Sequence, residues 1–130
     1  MNRNLEPLLN RLRILQININ KLSKAHLDLI NGALAKKWDI ILIQEPHITF
    51  LGHVRTPNSF ASIFPQDRLA RPDLVVHSVI WVNSKLSSNS WKAINISGNN
   101  DLTAIQIKKG NRKLMIVNIY NPCTHSQMLT

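Results

Sequence analysis

Two apolar runs set the expected architecture of this chain: RILQININ at residues 13–20 and DIILIQEP at residues 39–46. A helical pattern lies between them, so the segment reads as strand, helix, strand. Two parallel strands joined in this way end at the same edge of their sheet, where ligand sites collect. We therefore expect the oxygen-bearing side chains of Asn18, Asn20 and Glu45 to converge there. Such a set suits a hard divalent cation such as Mg²⁺.

The segment between the two runs predicts one helix, from Ser23 as its N-cap to about Trp38. Its apolar stripe is formed by Leu27, Ile30, Leu34 and Trp38. Gly32 is expected to weaken this helix without ending it. The run from Ile40 to Ile43 has no polar alternation, so this strand is expected to be covered on both faces.

The rest of the chain predicts β-structure. A loop-rich stretch contains a short strand at 59–64, and turn-forming residues then separate four antiparallel strands at 75–82, 91–97, 102–108 and 113–120. The strand at 102–108 alternates, with Thr103, Ile105 and Ile107 on one face. We expect Trp38 and Trp81 to lie in the core.

Composition and charge narrow the class of protein. At 130 residues with 44% hydrophobic residues, the chain predicts one globular domain. Sixteen Lys and Arg against seven Asp and Glu give a charge of +9, which favours polyanionic partners such as nucleic acid. One cysteine excludes an internal disulfide. No apolar run approaches the roughly 18–20 residues of a membrane span, so an intracellular, soluble protein without a membrane partner is expected.

Three segments resemble the endonuclease/exonuclease/phosphatase superfamily in their order and rough spacing: RILQININKL (13–22), DIILIQEPH (39–47) and LMIVNIYNP (114–122). The segments 78–96 and 101–122 look most like the endonuclease domains of non-LTR retrotransposons. The resemblance implies an α/β (α+β) class and a partial deoxyribonuclease-I-like four-layer sandwich, with one mixed β-sheet, a covering helix and the second half missing. It divides the chain into an N-terminal arm at 1–12, the N-terminal part of such a domain at 13–122, and a polar tail at 123–130.

The resemblance also implies catalytic roles for Asn18, Glu45 and Tyr120. Asn18 would support the phosphate and the carboxylate network, Glu45 would bind Mg²⁺ (or Mn²⁺), and Tyr120 would contact the scissile phosphate. Asn20 is the second metal-site candidate, although the repair enzymes of the family place an aspartate there. Lys21 stands where the family usually has a glycine, which leaves the conformation of that loop open.

The implied reaction is Mg²⁺-dependent hydrolysis of a DNA phosphodiester, in the nucleus if the chain derives from a retroelement. The Asp-x-Asn motif of the family and its terminal acid followed by histidine do not occur in this sequence. Without those groups, most of the acid–base contribution to the rate is lost. We therefore expect a truncated domain that is inactive as an isolated chain.

Other interpretations remain open. Lys108, Lys109, Arg112 and Lys113 surround one hairpin, and lysines and arginines of this kind bind nucleic acid without sequence preference. On this interpretation the chain is a non-catalytic basic module that binds nucleic acid. A third interpretation is an inactive relic. By residue type alone, the asparagines are ordinary turn-formers and Glu45 is a solvated strand end. A sheet face left uncovered would favour self-association. The Cys123-x-His125 pair supplies too few ligands for a zinc site.

Overall fold

The computed structural model describes residues 12–32, 34–49, 53–65, 76–94, 96 and 101–121. The predicted arm at 1–12, apart from Leu12, and the predicted tail at 123–130, with Cys123 and His125, lie outside the described residues. The side chain of Lys109 also lies outside the described part of the chain.

The first sheet contains four strands in the order β1-β2-β4-β3. Their bounds are β1 Ile14–Asn18, β2 Ile40–Gln44, β3 Phe60–Ile63 and β4 Ser78–Asn83. β1 pairs with β2 in parallel, with Ile14 opposite Ile40 and Asn18 opposite Gln44. β4 runs antiparallel to both β2 and β3. The predicted strand–helix–strand unit with two parallel strands is confirmed.

The prediction of one continuous helix from Ser23 to Trp38 is wrong. The first helix, α1, spans Ser23–Ile30, and a short second helix, α2, spans Leu34–Lys37. Asn31 caps α1 at its C-terminus, and Gly32 follows. Two adjacent residues of low helix propensity end the helix where one glycine alone would only weaken it.

The prediction of Ser23 as the N-cap is wrong as well. Leu22 occupies the N-cap position of α1, and its side chain makes no capping hydrogen bond. No helix in the described part of the chain is long and apolar enough to cross a membrane.

The second sheet contains three antiparallel strands in the order β5-β6-β7. Their bounds are β5 Trp91–Ile94, β6 Leu102–Lys109 and β7 Arg112–Ile119. The sequence analysis placed these strands in one mixed sheet with the others, whereas the structure separates them into a sheet of their own. Thr103, Ile105 and Ile107 are all buried, as predicted for one face of β6, whereas on its other face Ala104 is also buried and Lys108 is exposed.

Two hydrophobic cores arrange these elements in three layers. The core between the two sheets includes Ile40 and Leu42 from β2 and Ile105 and Ile107 from β6. The core between the first sheet and the helices is built from Ile41, Ile43, Val79, Trp81 and Phe60, with Leu29, Ile30, Leu34 and Trp38 packed against it. β2 is therefore buried on both faces, as its continuous apolar run predicts. Both Trp38 and Trp81 pack in a core, as expected.

The outer face of the second sheet carries exposed apolar side chains. Met115, Val117 and Ile119 of β7 are 53%, 40% and 57% exposed. Val117 stands opposite Ala104 of β6, which in turn pairs with Ile94 of β5, so these residues share one face. Self-association through this face stays a prediction.

Buried polar side chains connect the two sheets. Asn118 of β7 is 1% exposed, and its Nδ2 donates to the carbonyl oxygens of Ile43 at 2.9 Å and Val79 at 3.0 Å. The Ser78 hydroxyl lies 2.9 Å from the Asn118 carbonyl and 2.6 Å from the Thr103 hydroxyl. Because these buried groups find partners, their hydrogen bonds offset the cost of removing them from water and fix the second sheet against the first.

A hydrogen-bonded ion pair fixes the start of the parallel strand pair. The Asp39 carboxylate accepts hydrogen bonds from the backbone N–H of Arg13 at 2.9 Å and from its guanidinium at 3.1 Å and 3.3 Å. The Asp39 N–H in turn donates to the Arg13 carbonyl at 2.8 Å. Burial alone would raise the pKa of Asp39, but the hydrogen bonds and charge of Arg13 outweigh it and hold that pKa below its ordinary value.

We expect Asp39→Asn to lower the free energy of unfolding at neutral pH, because it removes a charge-assisted contact at the start of β1 and β2. The stabilisation from a lowered pKa is present above the ordinary pKa of an unfolded aspartate and is lost as the pH falls through the folded-state value. Urea unfolding across this acidic range should therefore show wild type and variant converging. A constant difference between them at every pH would contradict the assignment. Asp28→Asn, which removes an exposed ion pair with Lys24, should have little effect at any pH.

Candidate functional site

Asn18 and Glu45 meet at the edge where β1 and β2 end. The side-chain Nδ2 of Asn18 donates to Oε1 of Glu45 at 3.3 Å. Its Oδ1 accepts the backbone N–H of Asn20 at 2.8 Å, in the local turn that asparagine favours. The amide of Asn18 is therefore held at both ends, and its donor group faces the carboxylate.

The two loops that follow β1 and β2 contain the only non-glycine residues with positive φ in the described part of the chain. These are Asn20 at 57°, Lys21 at 62° and Glu45 at 51°. Asparagine tolerates this conformation, but for lysine and glutamate it carries a steric cost of about 1–2 kcal/mol. The loops are joined by a hydrogen bond from the Lys21 N–H to the Glu45 carbonyl at 2.8 Å. Residue 21 thus adopts the backbone conformation that glycine favours, and backbone strain of this kind clusters at functional sites.

A buried histidine supports the loop after Glu45. His26 of α1 is 1% exposed; its Nδ1 accepts the backbone N–H of His47 at 3.1 Å, and its Nε2 donates to the Arg55 carbonyl at 2.8 Å. Burial lowers the pKa of His26; the hydrogen bond to the Arg55 carbonyl opposes this effect, and the charges of His47 and Arg55 add to it, so that the pKa lies below its ordinary value. A neutral imidazole with one donor and one acceptor is the form that this arrangement requires. His47 lies in the loop that follows β2, and its Nδ1 is 3.2 Å from the carbonyl of Lys21 in the loop that follows β1.

Tyr120 lies at the same rim, at the end of β7 in the second sheet. The side-chain Nε2 of Gln44, the residue before Glu45, donates to the carbonyl of Ile119, the residue before Tyr120, at 2.6 Å. The Tyr120 N–H donates to the Asp101 carbonyl at 2.8 Å, which fixes the chain as it leaves the sheet. The structure thus gathers Asn18, Glu45 and Tyr120 at one rim, which we call the strand-end rim.

A histidine–aspartate pair that the sequence analysis did not identify lies beside Tyr120. His77 Nδ1 is 2.7 Å from Asp101 Oδ1, and the His77 ring stacks on that of Tyr120 with centroids 4.6 Å apart and planes 39° apart. The Glu45 N–H donates to the His77 carbonyl at 3.0 Å. His77 and Asp101 are 24 residues apart. His77 directly precedes β4 of the first sheet and Asp101 directly precedes β6 of the second, so no sequence motif connects them.

The donor chemistry at the strand-end rim fits Mg²⁺ only in part. Glu45 supplies a carboxylate, and Mg²⁺ commonly uses one or two carboxylates and keeps several waters. Across the described ranges, however, no group of three or more His, Cys, Asp or Glu side chains could hold a metal ion. Asn20 is exposed, and its backbone N–H, not its side chain, donates to Asn18 Oδ1. Metal binding by Glu45 and Asn20 stays a prediction.

The predicted basic residues lie at the opposite end of the second sheet. Lys108 pairs with Lys113 across the β6–β7 hairpin, and Arg112 pairs with Lys109 at its tip. A cavity of about 150 Å³ near them is lined by residues including Lys92, Gln106, Lys108 and Lys113. Because a strand rises about 3.3 Å per residue, the seven residues from Lys113 to Tyr120 separate this basic hairpin from the strand-end rim by roughly 20–25 Å.

Trp91 lies beside the basic hairpin and is half-buried. It pairs with Ile107 and packs against the core between the sheets, and it also lines the cavity. The cavity therefore combines lysine side chains with one aromatic residue.

Comparison with known proteins agrees with this arrangement. No protein-family model and no curated protein sequence matches the chain. Among solved structures, the endonuclease domain of TRAS1, a telomere-specific non-LTR retrotransposon, matches with a TM-score of 0.61 and 20% identity. The fold is similar to a retrotransposon endonuclease domain.

The match to the TRAS1 domain includes most of this chain but only about half of the TRAS1 chain. It covers 92% of this chain and 49% of the TRAS1 chain, so this chain spans about half the length of that domain. The predicted α+β class and partial deoxyribonuclease-I-like fold are confirmed, and an N-terminal portion fits the match. At this identity the match concerns the fold alone.

The strain at residue 21 gives a direct test of the loop. We expect Lys21→Gly to raise the free energy of unfolding by roughly 0.5–1 kcal/mol, because glycine removes a steric cost of about 1–2 kcal/mol but adds roughly 0.5–1 kcal/mol of unfolded-state entropy. The matched control is Lys24→Gly inside α1, which should lower it by about 1 kcal/mol. Chemical denaturation measures both changes. An equal decrease in the free energy of unfolding in Lys21→Gly and Lys24→Gly would show that residue 21 is not held in the left-handed conformation.

Proposed function

We propose that this chain is the N-terminal part of a Mg²⁺-dependent nuclease domain that acts on DNA phosphodiesters, and that it does not turn over substrate by itself. The observation that carries the proposal is the hydrogen bond from Asn18 to Glu45 at a rim shared with Tyr120. The fold match to the TRAS1 endonuclease domain supports the nuclease class. The charge of +9 supports a polyanionic substrate.

Each residue of the strand-end rim has a defined part in this proposal. Glu45 holds the divalent ion, Mg²⁺ or Mn²⁺, and Asn18 fixes the orientation of that carboxylate. The hydroxyl of Tyr120 donates a hydrogen bond to a phosphate oxygen. Asn20 adds a neutral side-chain oxygen near the ion. When bound, the ion stabilises the negative charge that develops on the phosphate.

The absence of turnover follows from the groups that acid–base chemistry requires. Activation of water and protonation of the leaving group need a base and an acid near the phosphate. The family motifs that supply them, Asp-x-Asn and a terminal acid–histidine pair, do not occur in this sequence. DNA is the proposed partner, and a nuclear location follows if the chain derives from a retroelement.

Mn²⁺, used as a paramagnetic substitute for Mg²⁺, tests the metal site. We expect it to broaden the backbone NMR signals of residues 18–20 and 45–47 selectively, and Glu45→Gln to abolish this effect because it removes the carboxylate. The control Asp28→Asn changes an exposed carboxylate on α1 and should leave the broadening unchanged. Broadening that survives Glu45→Gln would refute Glu45 as the ligand.

A plasmid-nicking assay with Mg²⁺ tests the second part of the proposal. The isolated chain should nick no faster than Glu45→Gln. Nicking by the wild type that Glu45→Gln abolishes would show that the chain is active alone.

A second candidate function is metal-independent binding of nucleic acid at the basic hairpin. It is favoured by the cavity of about 150 Å³ whose lining includes Lys92, Lys108 and Lys113. Its distance from the strand-end rim makes the two functions separable.

The salt dependence of DNA affinity tests this second candidate. Each lysine that contacts a phosphate should contribute about 0.9 to the slope of log affinity against log salt concentration. We expect Lys108→Ala and Lys113→Ala each to reduce the slope by about that amount, with no dependence on Mg²⁺. Lys24→Ala on α1 is the control and should leave the slope unchanged. Slopes equal to the wild type in both hairpin variants would exclude the hairpin as the DNA-binding surface.

A further inference from the structure

Two histidines of the described chain, His26 and His77, differ in their hydrogen bonds and in their exposure to solvent. Both ring nitrogens of His26 are used within the fold, and its side chain is 1% exposed. His77, in contrast, uses Nδ1 for Asp101, and its Nε2 has no hydrogen-bond partner among the described residues. The His77 side chain is 26% exposed. His26 therefore has the surroundings of a structural histidine, whereas His77 presents one ring nitrogen to solvent at the strand-end rim.

The pairing with Asp101 determines which nitrogen is presented. A carboxylate oxygen accepts hydrogen bonds, so the 2.7 Å contact places a hydrogen on Nδ1 of His77. The carboxylate also holds the ring in one orientation, as carboxylates do for functional histidines in general. Stacking on Tyr120 adds a second restraint on the plane of the ring. Nε2 is thus the group that an incoming ligand meets.

We propose that His77 contacts a phosphodiester oxygen of DNA through Nε2, beside the Tyr120 hydroxyl, and that Asp101 is its positioning residue. This inference rests on the proposed function and adds two residues to its site. In this contact Nδ1 bonds to the Asp101 carboxylate and Nε2 faces the phosphate oxygen, so the ring bridges its positioning residue and the DNA backbone.

The position of His77 supports this role. Its carbonyl accepts the N–H of Glu45, and its ring contacts Tyr120, so a single residue touches both sides of the strand-end rim. A phosphate bound there would lie near the Tyr120 ring and next to the loop that carries Glu45. Asp101 and Tyr120 adjoin strands of the second sheet, and His77 and Glu45 adjoin strands of the first.

The test measures the affinity of the 130-residue chain for a labelled DNA duplex at fixed low salt with Mg²⁺. His77→Phe keeps a ring to stack on Tyr120 but removes both nitrogens, and it should weaken binding about three- to tenfold. Asp101→Asn should weaken it less. The double variant should bind no more weakly than His77→Phe alone, because Asp101 acts through His77. His53→Phe, in an exposed loop, is the control and should bind as the wild type does.

A purely structural role for the pair gives a different result. The two single losses in affinity would then add in the double variant, and each would follow a fall in unfolding temperature. Such additivity would overturn the proposal. Wild-type affinity in His77→Phe would also overturn it, while leaving the nuclease proposal intact.

Tyrosine NMR adds a readout that does not depend on affinity alone. Tyr120 is the only tyrosine of the chain, so ring-labelled tyrosine gives a single set of signals from the strand-end rim. DNA should shift these signals in the wild type and much less in His77→Phe. An equally tight response to inorganic phosphate would assign the rim to free phosphate and overturn the DNA assignment. If the His77 dependence is found but Mn²⁺ broadening at Glu45 is absent, the phosphate contact stands and the metal-dependent function fails.

Discussion

The alignment of the two sheets depends on one buried side chain, Asn118. Its Nδ2 donates to the carbonyls of Ile43 and Val79 in the first sheet, and its own carbonyl accepts from Ser78. A buried amide left without partners costs about 1–3 kcal/mol, so sliding one sheet over the other is unfavourable. Asn118 precedes Tyr120 by two residues and Ile43 precedes Glu45 by two. The same hydrogen bonds that align the sheets therefore bring the chain segments that carry Tyr120 and Glu45 to one edge of the molecule.

The loops at the strand-end rim are held in an unfavourable conformation by contacts around them. Lys21 and Glu45 have positive φ angles, and their loops are bonded to one another and to His47. The neutral, buried His26 holds the loop that follows β2, because its Nδ1 accepts the backbone N–H of His47. Local strain persists only where the surrounding structure over-determines the backbone. In this chain that condition is met at the ends of β1 and β2, which is where Asn18 and Glu45 face each other.

Local sequence patterns predict the strands and the edge where Asn18 and Glu45 meet, but they do not predict how the two sheets pack. The continuous run Ile40 to Ile43 predicts a strand buried on both faces, and a parallel strand pair places Asn18 and Glu45 at one edge, because both inferences rest on short-range periodicity. Periodicity does not determine which strands share a sheet, so the separate second sheet was not predicted. The break at Asn31 and Gly32 was missed because each residue alone is tolerated in a helix. The contact between His77 and Asp101 depends on the packing of two sheets, and no spacing in the sequence encodes it.

Binding and turnover make different demands on the strand-end rim. A phosphate contact needs oriented donors, and the supports of Tyr120 and His77 lie within the described residues: the Asp101 carboxylate, the Asp101 carbonyl and the stacked rings. Hydrolysis needs an acid and a base in addition, and these are contributed in the family by motifs that the sequence does not contain. The chain spans about half of the TRAS1 domain, and the outer face of its second sheet exposes Met115, Val117 and Ile119. Because the donors are positioned by contacts inside this half, the proposed phosphate contact does not require the other half, whereas the proposed catalysis does.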